Sequence, residues 1–174
     1  MNMSYLKRIS DKVLSERLEA FGAVLIEGPK WCGKTTTAEQ QAKSVIKMQD
    51  PDMSSEYLAT IESKPSLLLL GETPRLIDEW QDAPILWDAV RTMVDKRQTV
   101  GQFILTGSNT IEKNKIKHSG TGRISRMKMF PMSLYESGDS SGEVSLKDLF
   151  DGQIEIDGYS ELDFERLAFL VCRG

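Results

Sequence analysis

One stretch of the sequence combines glycines, a lysine and threonines at the spacing of a phosphate-binding loop. Residues 28–35 read GPKWCGKT and fit the pattern G-x-x-x-x-G-K-[ST] in full. Glycines let backbone N–H groups turn inward toward phosphate oxygens, and the helix that follows such a loop points its positive end at them. The pattern predicts that Lys34 binds the β and γ phosphates and that Thr35 ligates Mg²⁺. The expected phosphate contacts come from Gly28, Pro29, Lys30, Trp31, Cys32, Gly33, Lys34, Thr35 and Thr36.

A pair of carboxylates, Asp78 and Glu79, follows the apolar residues Leu76 and Ile77. A carboxylate at a strand end can hold the water shell of Mg²⁺, and a second one beside it can deprotonate water aimed at a γ-phosphate. We therefore assign Asp78 to the metal and Glu79 to the water. The alternative is an exposed acidic pair that opens a loop.

A second apolar run, residues 103–109 (FILTGSN), also ends in small polar residues. A hydroxyl or amide at the end of a buried strand can lie between the attacking water and the γ-phosphate. Thr106 is the first choice for this polar sensor, with Ser108 and Asn109 as reserves. Ordinary turn chemistry at a strand end is the alternative.

The stretch of residues 113–128 is basic and contains no acidic residue. Its arginines could stabilise negative charge on a transferring phosphate, in cis or from a neighbouring subunit. The stretch could instead contact nucleic acid, or it could be a solvated loop. Its cations are Lys113, Lys115, Lys117, Arg123, Arg126 and Lys128.

Cys32 and His118 carry reactive side chains without a supporting pattern. The position of Cys32 near a helix N-terminus and Lys34 would lower a thiol pKa, but a filler of the loop is the simpler interpretation. His118 is the single histidine and has no metal-ligating or catalytic partner in the sequence, so a surface role is expected.

Strand and helix patterns alternate along the chain, and this alternation predicts an α/β fold with a parallel sheet. Ligands of such sheets bind beyond the carboxyl ends of the strands, which is where the residues above fall. The predicted helices cover residues 4–20, 34–43, 54–62 and 65–70 and a segment opened by Pro84, and the predicted strands cover 23–26, 44–48, 74–78, 103–106 and 124–130.

The composition is that of a mildly acidic globular protein. The 174 residues include 22 Lys and Arg against 26 Asp and Glu, a net charge of −4, which makes a poor general polyanion binder. The longest apolar run, Leu167 to Cys172, has six residues, whereas a membrane span needs about 20. With two cysteines and no secretory pattern at the start, a reducing cytoplasm is expected.

A low-complexity segment, residues 136–143 (ESGDSSGE), predicts a mobile loop between a main body of residues 1–135 and a tail of residues 144–174. The tail ends on the apolar run from Leu167 to Cys172. We predict that this run is a helix cut short, whose apolar surface faces a C-terminal region outside the sequence.

Four segments in order, GPKWCGKTT, PRLIDEWQ, FILTGS and GRISRMKMFPMSLYE, resemble the bacterial and archaeal AAA-superfamily ATPases whose chains continue into an uncharacterised C-terminal domain. The resemblance covers nearly the whole chain. It implies a three-layer αβα P-loop NTPase fold with a mostly parallel five-stranded sheet, order 5-1-4-3-2, and a short C-terminal helical tail. It also implies ATP as the nucleotide, Asp78 and Glu79 as the Walker B pair, Thr106 or Ser108 as sensor and Arg123 as arginine finger.

The expected function is ATP binding and Mg²⁺-dependent hydrolysis by a domain that acts as a switch or motor for its own C-terminal domain, with a homo-oligomer as one expected assembly. A nucleotide-gated interaction module with negligible turnover and a nucleic-acid-associated ATPase are the alternatives. The Asp-Glu pair argues against a small-molecule kinase, which avoids water. Residues 114–117 (NKIK) lack the aspartate of a guanine-reading NKxD motif.

Overall fold

Five parallel strands form a single sheet at the centre of the main unit. The computed structural model describes residues 5–107, 119–152 and 157–173 of the chain. Along the sheet the strand order is β2-β3-β4-β1-β5, and every neighbouring pair is parallel, which confirms the predicted order 5-1-4-3-2. The strands are β1 (Ala23–Glu27), β2 (Ser44–Lys47), β3 (Arg75–Asp78), β4 (Phe103–Gly107) and β5 (Ile124–Lys128).

Residue type explains which strands are central and which lie at the edges. β4 is buried along its whole length and β1 along all but its last residue, as expected for apolar strands covered on both faces. β2 and β5 interleave buried and exposed residues, and they occupy the two edges.

Helices cover both faces of the sheet and make three layers. The helices are α1 (Ile9–Ala20), α2 (Lys34–Glu39), α3 (Ser54–Ser63) and α4 (Ile85–Arg97), and two short 3₁₀ turns span Pro65–Leu67 and Trp80–Asp82. In one buried cluster, side chains from one face of the sheet pack against α3 and α4. In the second, side chains from the other face pack against α1 and α2.

Several element boundaries differ from the sequence prediction. α1 begins at Ile9 rather than at residue 4, and the predicted helix over 65–70 is a single 3₁₀ turn. α2 ends at Glu39 instead of Lys43, since it contains three consecutive β-branched threonines and its last turn closes with 3₁₀-type bonds from Gln40 and Gln41. β5 ends at Lys128, two residues before the predicted end.

A charged side chain at the amino edge of β3 fixes the chain that leads into that strand. The Arg75 guanidinium donates to the carbonyl oxygen of Leu68 and to the hydroxyl of Ser44, at 2.7 and 2.9 Å. Burial lowers the pKa of Arg75. This arginine therefore joins β2, β3 and the preceding turn at the edge away from the phosphate-binding loop.

Contacts divide the chain into two compact units, Ile9–Phe130 and a second unit formed by Met1–Arg8 with Pro131–Gly174. In the second unit, α5 (Leu146–Phe150) is capped by the Ser145 side chain, and α6 (Phe164–Arg173) leaves several apolar side chains exposed. The predicted boundaries at residues 135 and 143, and the prediction of a helix cut short, stay predictions. No helix among the described residues is long and apolar enough to cross a membrane.

Two tryptophans offer a matched test of the core. Trp87 is fully buried and packs against Trp80 with ring centroids 4.9 Å apart, whereas Trp31 is 99% exposed. We expect Trp87→Ala to lower the free energy of unfolding by about 3–5 kcal/mol, because the surrounding core cannot collapse fully into the cavity that the substitution leaves. Trp31→Ala should change it by less than about 0.5 kcal/mol. Urea denaturation measures both values, and equal losses would contradict this core.

Candidate functional site

The loop between β1 and α2 carries the phosphate-binding pattern, and its two glycines are required by geometry. A Cβ on Gly28 would lie 2.2 Å from the Met129 carbonyl oxygen, so only glycine fits against β5 at this point. Gly33, the N-cap residue just before α2, has φ 94°, a left-handed conformation that glycine adopts without strain. The loop therefore passes close to its neighbour and turns sharply into the helix.

The tip of the loop also turns through a left-handed residue. Trp31 has φ 67°, unusual for a side chain of this size, and its indole lies in solvent. Cys32, the next residue, is buried beneath the loop and is 3% exposed. Its burial supports the interpretation of Cys32 as loop filler, and its redox role stays a prediction.

The lysine of the motif lies folded into its own loop. Lys34 is 5% exposed, and its Nζ donates to the carbonyl oxygens of Gly28 and Pro29 at 3.0 and 2.8 Å. These bonds hold the ammonium against the backbone carbonyl groups at the start of the loop. A buried ammonium with neutral acceptors provides a strong site for an anion that enters the loop.

A second group of residues converges on Asp78 at the carboxyl end of β3. Asp78 Oδ1 accepts hydrogen bonds from the Thr35 hydroxyl at 2.7 Å and from the Thr106 hydroxyl at 2.5 Å. The backbone N–H of Glu79 in turn donates to Thr106 Oγ1 at 3.2 Å. The structure thus brings together four residues that the sequence had singled out, from α2, β4 and the end of β3.

Glu79 adopts an uncommon backbone conformation, with φ 54° and ψ 48°. Left-handed residues other than glycine store strain and concentrate at functional sites. The turn is held by Trp80, which is buried against Trp87. Gln81 Nε2 donates to Glu79 Oε2, so this amide fixes the orientation of the carboxylate.

Of the residues described above, Lys34, Thr35 and Glu79 line one pocket of about 780 Å³ at the carboxyl edge of the sheet. Three of its residues, Gln49, Gln81 and Asp82, were missed by sequence reasoning. Gln49 Nε2 donates to Asp82 Oδ2 at 2.9 Å, so the far end of the pocket is also hydrogen-bonded. Gln81 and Asp82 directly follow the carboxylate pair and could have been found there, but no pattern marks Gln49. The lining is Lys30, Trp31, Gly33, Lys34, Thr35, Thr36, Gln49, Glu79, Gln81 and Asp82.

Oxygen donors suited to Mg²⁺ occur here without a larger ligand cluster. Among the described residues, no group of three or more His, Cys, Asp or Glu side chains could hold a metal. Mg²⁺ commonly takes one or two protein oxygens and leaves the remaining positions to phosphates and water. The adjacent oxygens of Thr35 and Asp78 fit that requirement.

Lys47 lies opposite Asp78 in the pairing of β2 with β3, and its pKa is raised. Its ammonium lies 2.7 Å from Glu39 Oε1. The hydrogen bond and the charge of Glu39 raise the pKa of Lys47, with smaller contributions from Asp78 and Asp50. The ammonium thus stays charged and bound to the end of α2, outside the pocket.

The arginine predicted as a finger does not join the site within its own chain. Arg123 directly precedes β5, so it lies at the amino edge of the parallel sheet, about 16 Å of strand away from the carboxyl edge. There its Nε donates to Asp95 Oδ1 at 2.8 Å. This position does not support a role of Arg123 as arginine finger in the site of its own chain. A role in the site of a neighbouring subunit stays a prediction.

Among the other cations of the basic stretch, Arg126 is paired, Lys128 is exposed and the remaining lysines lie outside the described residues. Arg126 Nη1 bonds Glu27 Oε1 at 3.1 Å, and its guanidinium lies 5.0 Å from the Trp87 ring centroid. Ser108, Asn109 and His118 lie outside the described residues, as do Lys113, Lys115 and Lys117. Their predicted roles as sensor reserves, surface residue or nucleic-acid contacts therefore stay predictions.

Comparison with known proteins now adds to this geometry. A family model described as an AAA domain matches residues 20–138, more than half of the chain. The chain belongs to this AAA domain family. Among curated proteins, none matches the sequence.

The AAA domain match contains the phosphate-binding loop, the Asp78–Glu79 pair and all five strands. Membership indicates a nucleotide-binding function of the ATPase type. The matched range does not support the C-terminal domain that the sequence resemblance implied, so that domain stays a proposal.

Substitution of Thr106 tests the hydrogen bonds that join the two strand ends. Thr106→Val keeps the shape of the side chain but removes its bonds with Asp78 and the Glu79 amide, so we expect a loss of about 1–3 kcal/mol in the free energy of unfolding. Thr106→Ser keeps the hydroxyl and should lose clearly less. Urea denaturation of both variants measures the difference, and a loss in Thr106→Ser as large as that in Thr106→Val would contradict the role of the hydroxyl.

Proposed function

We propose that this AAA domain binds ATP with Mg²⁺ and hydrolyses it. The observation that carries the proposal is the hydrogen bond between Thr35 and Asp78, at 2.7 Å. It joins the phosphate-binding loop to a strand-end carboxylate, which is the pair of ligands that P-loop ATPases offer to Mg²⁺.

Thr35 and Asp78 would hold the metal through their side-chain oxygens. When held there, Mg²⁺ would supply positive charge that neutralises the charge developing on the phosphate oxygens. Asp78 Oδ1 already accepts two hydroxyl hydrogen bonds, which keep its carboxylate turned toward α2.

The loop would bind the phosphates through groups that are already in place. Backbone N–H groups between Gly28 and Thr35 cradle phosphate oxygens, and the N-terminus of α2 adds a favourable dipole. Lys34 would exchange its carbonyl partners in the loop for β- and γ-phosphate oxygens. The exchange replaces neutral acceptors by charged ones and therefore favours the bound state.

Glu79 would accept the proton of the attacking water. Its carboxylate lines the same pocket as Lys34 and Thr35, and its backbone N–H is bonded to Thr106. Gln81 positions this carboxylate through the bond to Oε2. Thr106 would register the γ-phosphate indirectly, through its two bonds to Asp78 and Glu79, rather than by a contact of its own.

We further propose that turnover serves as a switch for a partner, either a C-terminal domain of the same protein or a second copy. Loss of the γ-phosphate would change the bonds at Asp78, Glu79 and Thr106, and β4 leads directly from Thr106 into the chain beyond Gly107.

A domain that binds nucleotide without turnover is the second candidate. The bond between Gln81 and Glu79 favours it, because a carboxylate held by an amide is less free to accept a proton.

Two substitutions separate binding from hydrolysis. Lys34→Ala removes a charged donor and should weaken ATP binding by about 10- to 150-fold in calorimetric titration. Glu79→Gln should leave ATP binding within about twofold but lower the hydrolysis rate by about 10²- to 10⁴-fold, as expected for a general base. Lys43→Ala, an exposed lysine outside the pocket, is the matched control and should match wild type in both measurements.

The two assays also distinguish the candidate functions. Unchanged ATP affinity in Lys34→Ala would contradict nucleotide binding in this loop. Tight binding by wild type without phosphate release would favour the nucleotide-gated module over the ATPase.

A further inference from the structure

Hydrolysis of ATP develops negative charge on the γ-phosphate oxygens, and a cation near these oxygens lowers the barrier. In the part of the chain that the structure describes, two cations line the pocket, Lys30 and Lys34. Lys34 is buried inside the loop and belongs to the ground-state binding of the phosphates. Lys30 is exposed and belongs to the same loop.

The arginines of the basic stretch that the structure describes are engaged elsewhere. Arg123 pairs with Asp95 at the amino edge of the sheet, and Arg126 pairs with Glu27 and lies over the ring of Trp87. Neither lines the pocket. Among the described residues, both cations that line the pocket thus belong to the phosphate-binding loop.

The loop itself presents Lys30 to the pocket. Pro29 restricts the backbone before it, and the left-handed Trp31 reverses the chain after it. Lys30 thus lies at the turn, where it lines the same pocket as Glu79. Within the described residues, its ammonium makes no hydrogen bond or ion pair that would have to break before it binds phosphate.

We propose that Lys30 is a catalytic residue, whose ammonium binds the γ-phosphate oxygens and stabilises them in the transition state of hydrolysis. The inference rests on the proposed function. It gives the chain in cis the charge that an arginine of a neighbouring subunit would otherwise supply.

In the step itself, water oxygen bonds to the γ-phosphorus while Glu79 takes one proton of that water. The bond between the γ-phosphorus and the bridging oxygen breaks, and its electron pair leaves with ADP. Lys30 keeps its proton throughout and donates N–H bonds to the equatorial oxygens, so the products are ADP, inorganic phosphate and one proton.

The test compares affinity for ADP with affinity for ADP plus aluminium fluoride, a mimic of the transferring phosphoryl group, in the full chain with Mg²⁺. Wild type should bind the mimic more tightly than ADP, and Lys30→Ala should lose about 10- to 100-fold of that preference while its ADP affinity stays within about twofold. Lys30→Arg should keep most of the preference. Lys43→Ala serves as the control for the loss of one surface charge.

Each result decides the inference. An unchanged preference for the mimic in Lys30→Ala, or an equal loss of affinity for ADP and for the mimic, overturns it. A wild type that does not prefer the mimic overturns it as well. The ratio of the affinity for the mimic to the affinity for ADP does not depend on turnover. A failure of this inference is therefore distinguishable from a failure of the proposed function, which would appear as unchanged nucleotide affinity in Lys34→Ala.

Discussion

The Asp78 carboxylate accepts hydrogen bonds from two threonine hydroxyls that belong to elements far apart in the sequence. Thr35 reaches it from the first turn of α2, and Thr106 reaches it from the end of β4. This arrangement is possible only because β3 and β4 are parallel neighbours, so that their carboxyl ends meet at one edge beside the phosphate-binding loop. One oxygen of Asp78 therefore joins the loop, the end of β3 and the neighbouring strand.

The rest of the unit keeps that edge in place. The two buried clusters hold the helices against opposite faces of the sheet, and β1 carries the loop between β4 and β5. Trp80 connects the site to the core directly, since it follows Glu79 and packs on Trp87. The strained backbone of Glu79 is thus balanced by the burial of the next residue, a common way to maintain strain at a functional site.

Much of this arrangement could be predicted from the sequence, because the loop motif and the apolar strands depend on local patterns. The strand order followed from the resemblance, and the position of Asp78 and Glu79 followed from the end of an apolar run. Gln49 could not be predicted, since it enters the pocket only through the pairing of β2 with β3. The distance of Arg123 from the pocket could have been predicted, because a residue that precedes a parallel strand lies at the edge opposite the ligands. Helix ends were missed where threonines and 3₁₀ turns weakened the periodic pattern.

The central claim is that Thr35 and Asp78 together bind Mg²⁺ with the nucleotide, and the coupling between metal and ATP tests it most directly. ATP affinity should be measured by titration calorimetry with Mg²⁺ and with chelator, for wild type and for Asp78→Asn. The structure predicts that Mg²⁺ tightens ATP binding to wild type by about 5- to 150-fold and that Asp78→Asn removes most of this gain. An ATP affinity that does not depend on Mg²⁺, or an equal gain in both proteins, would contradict the account.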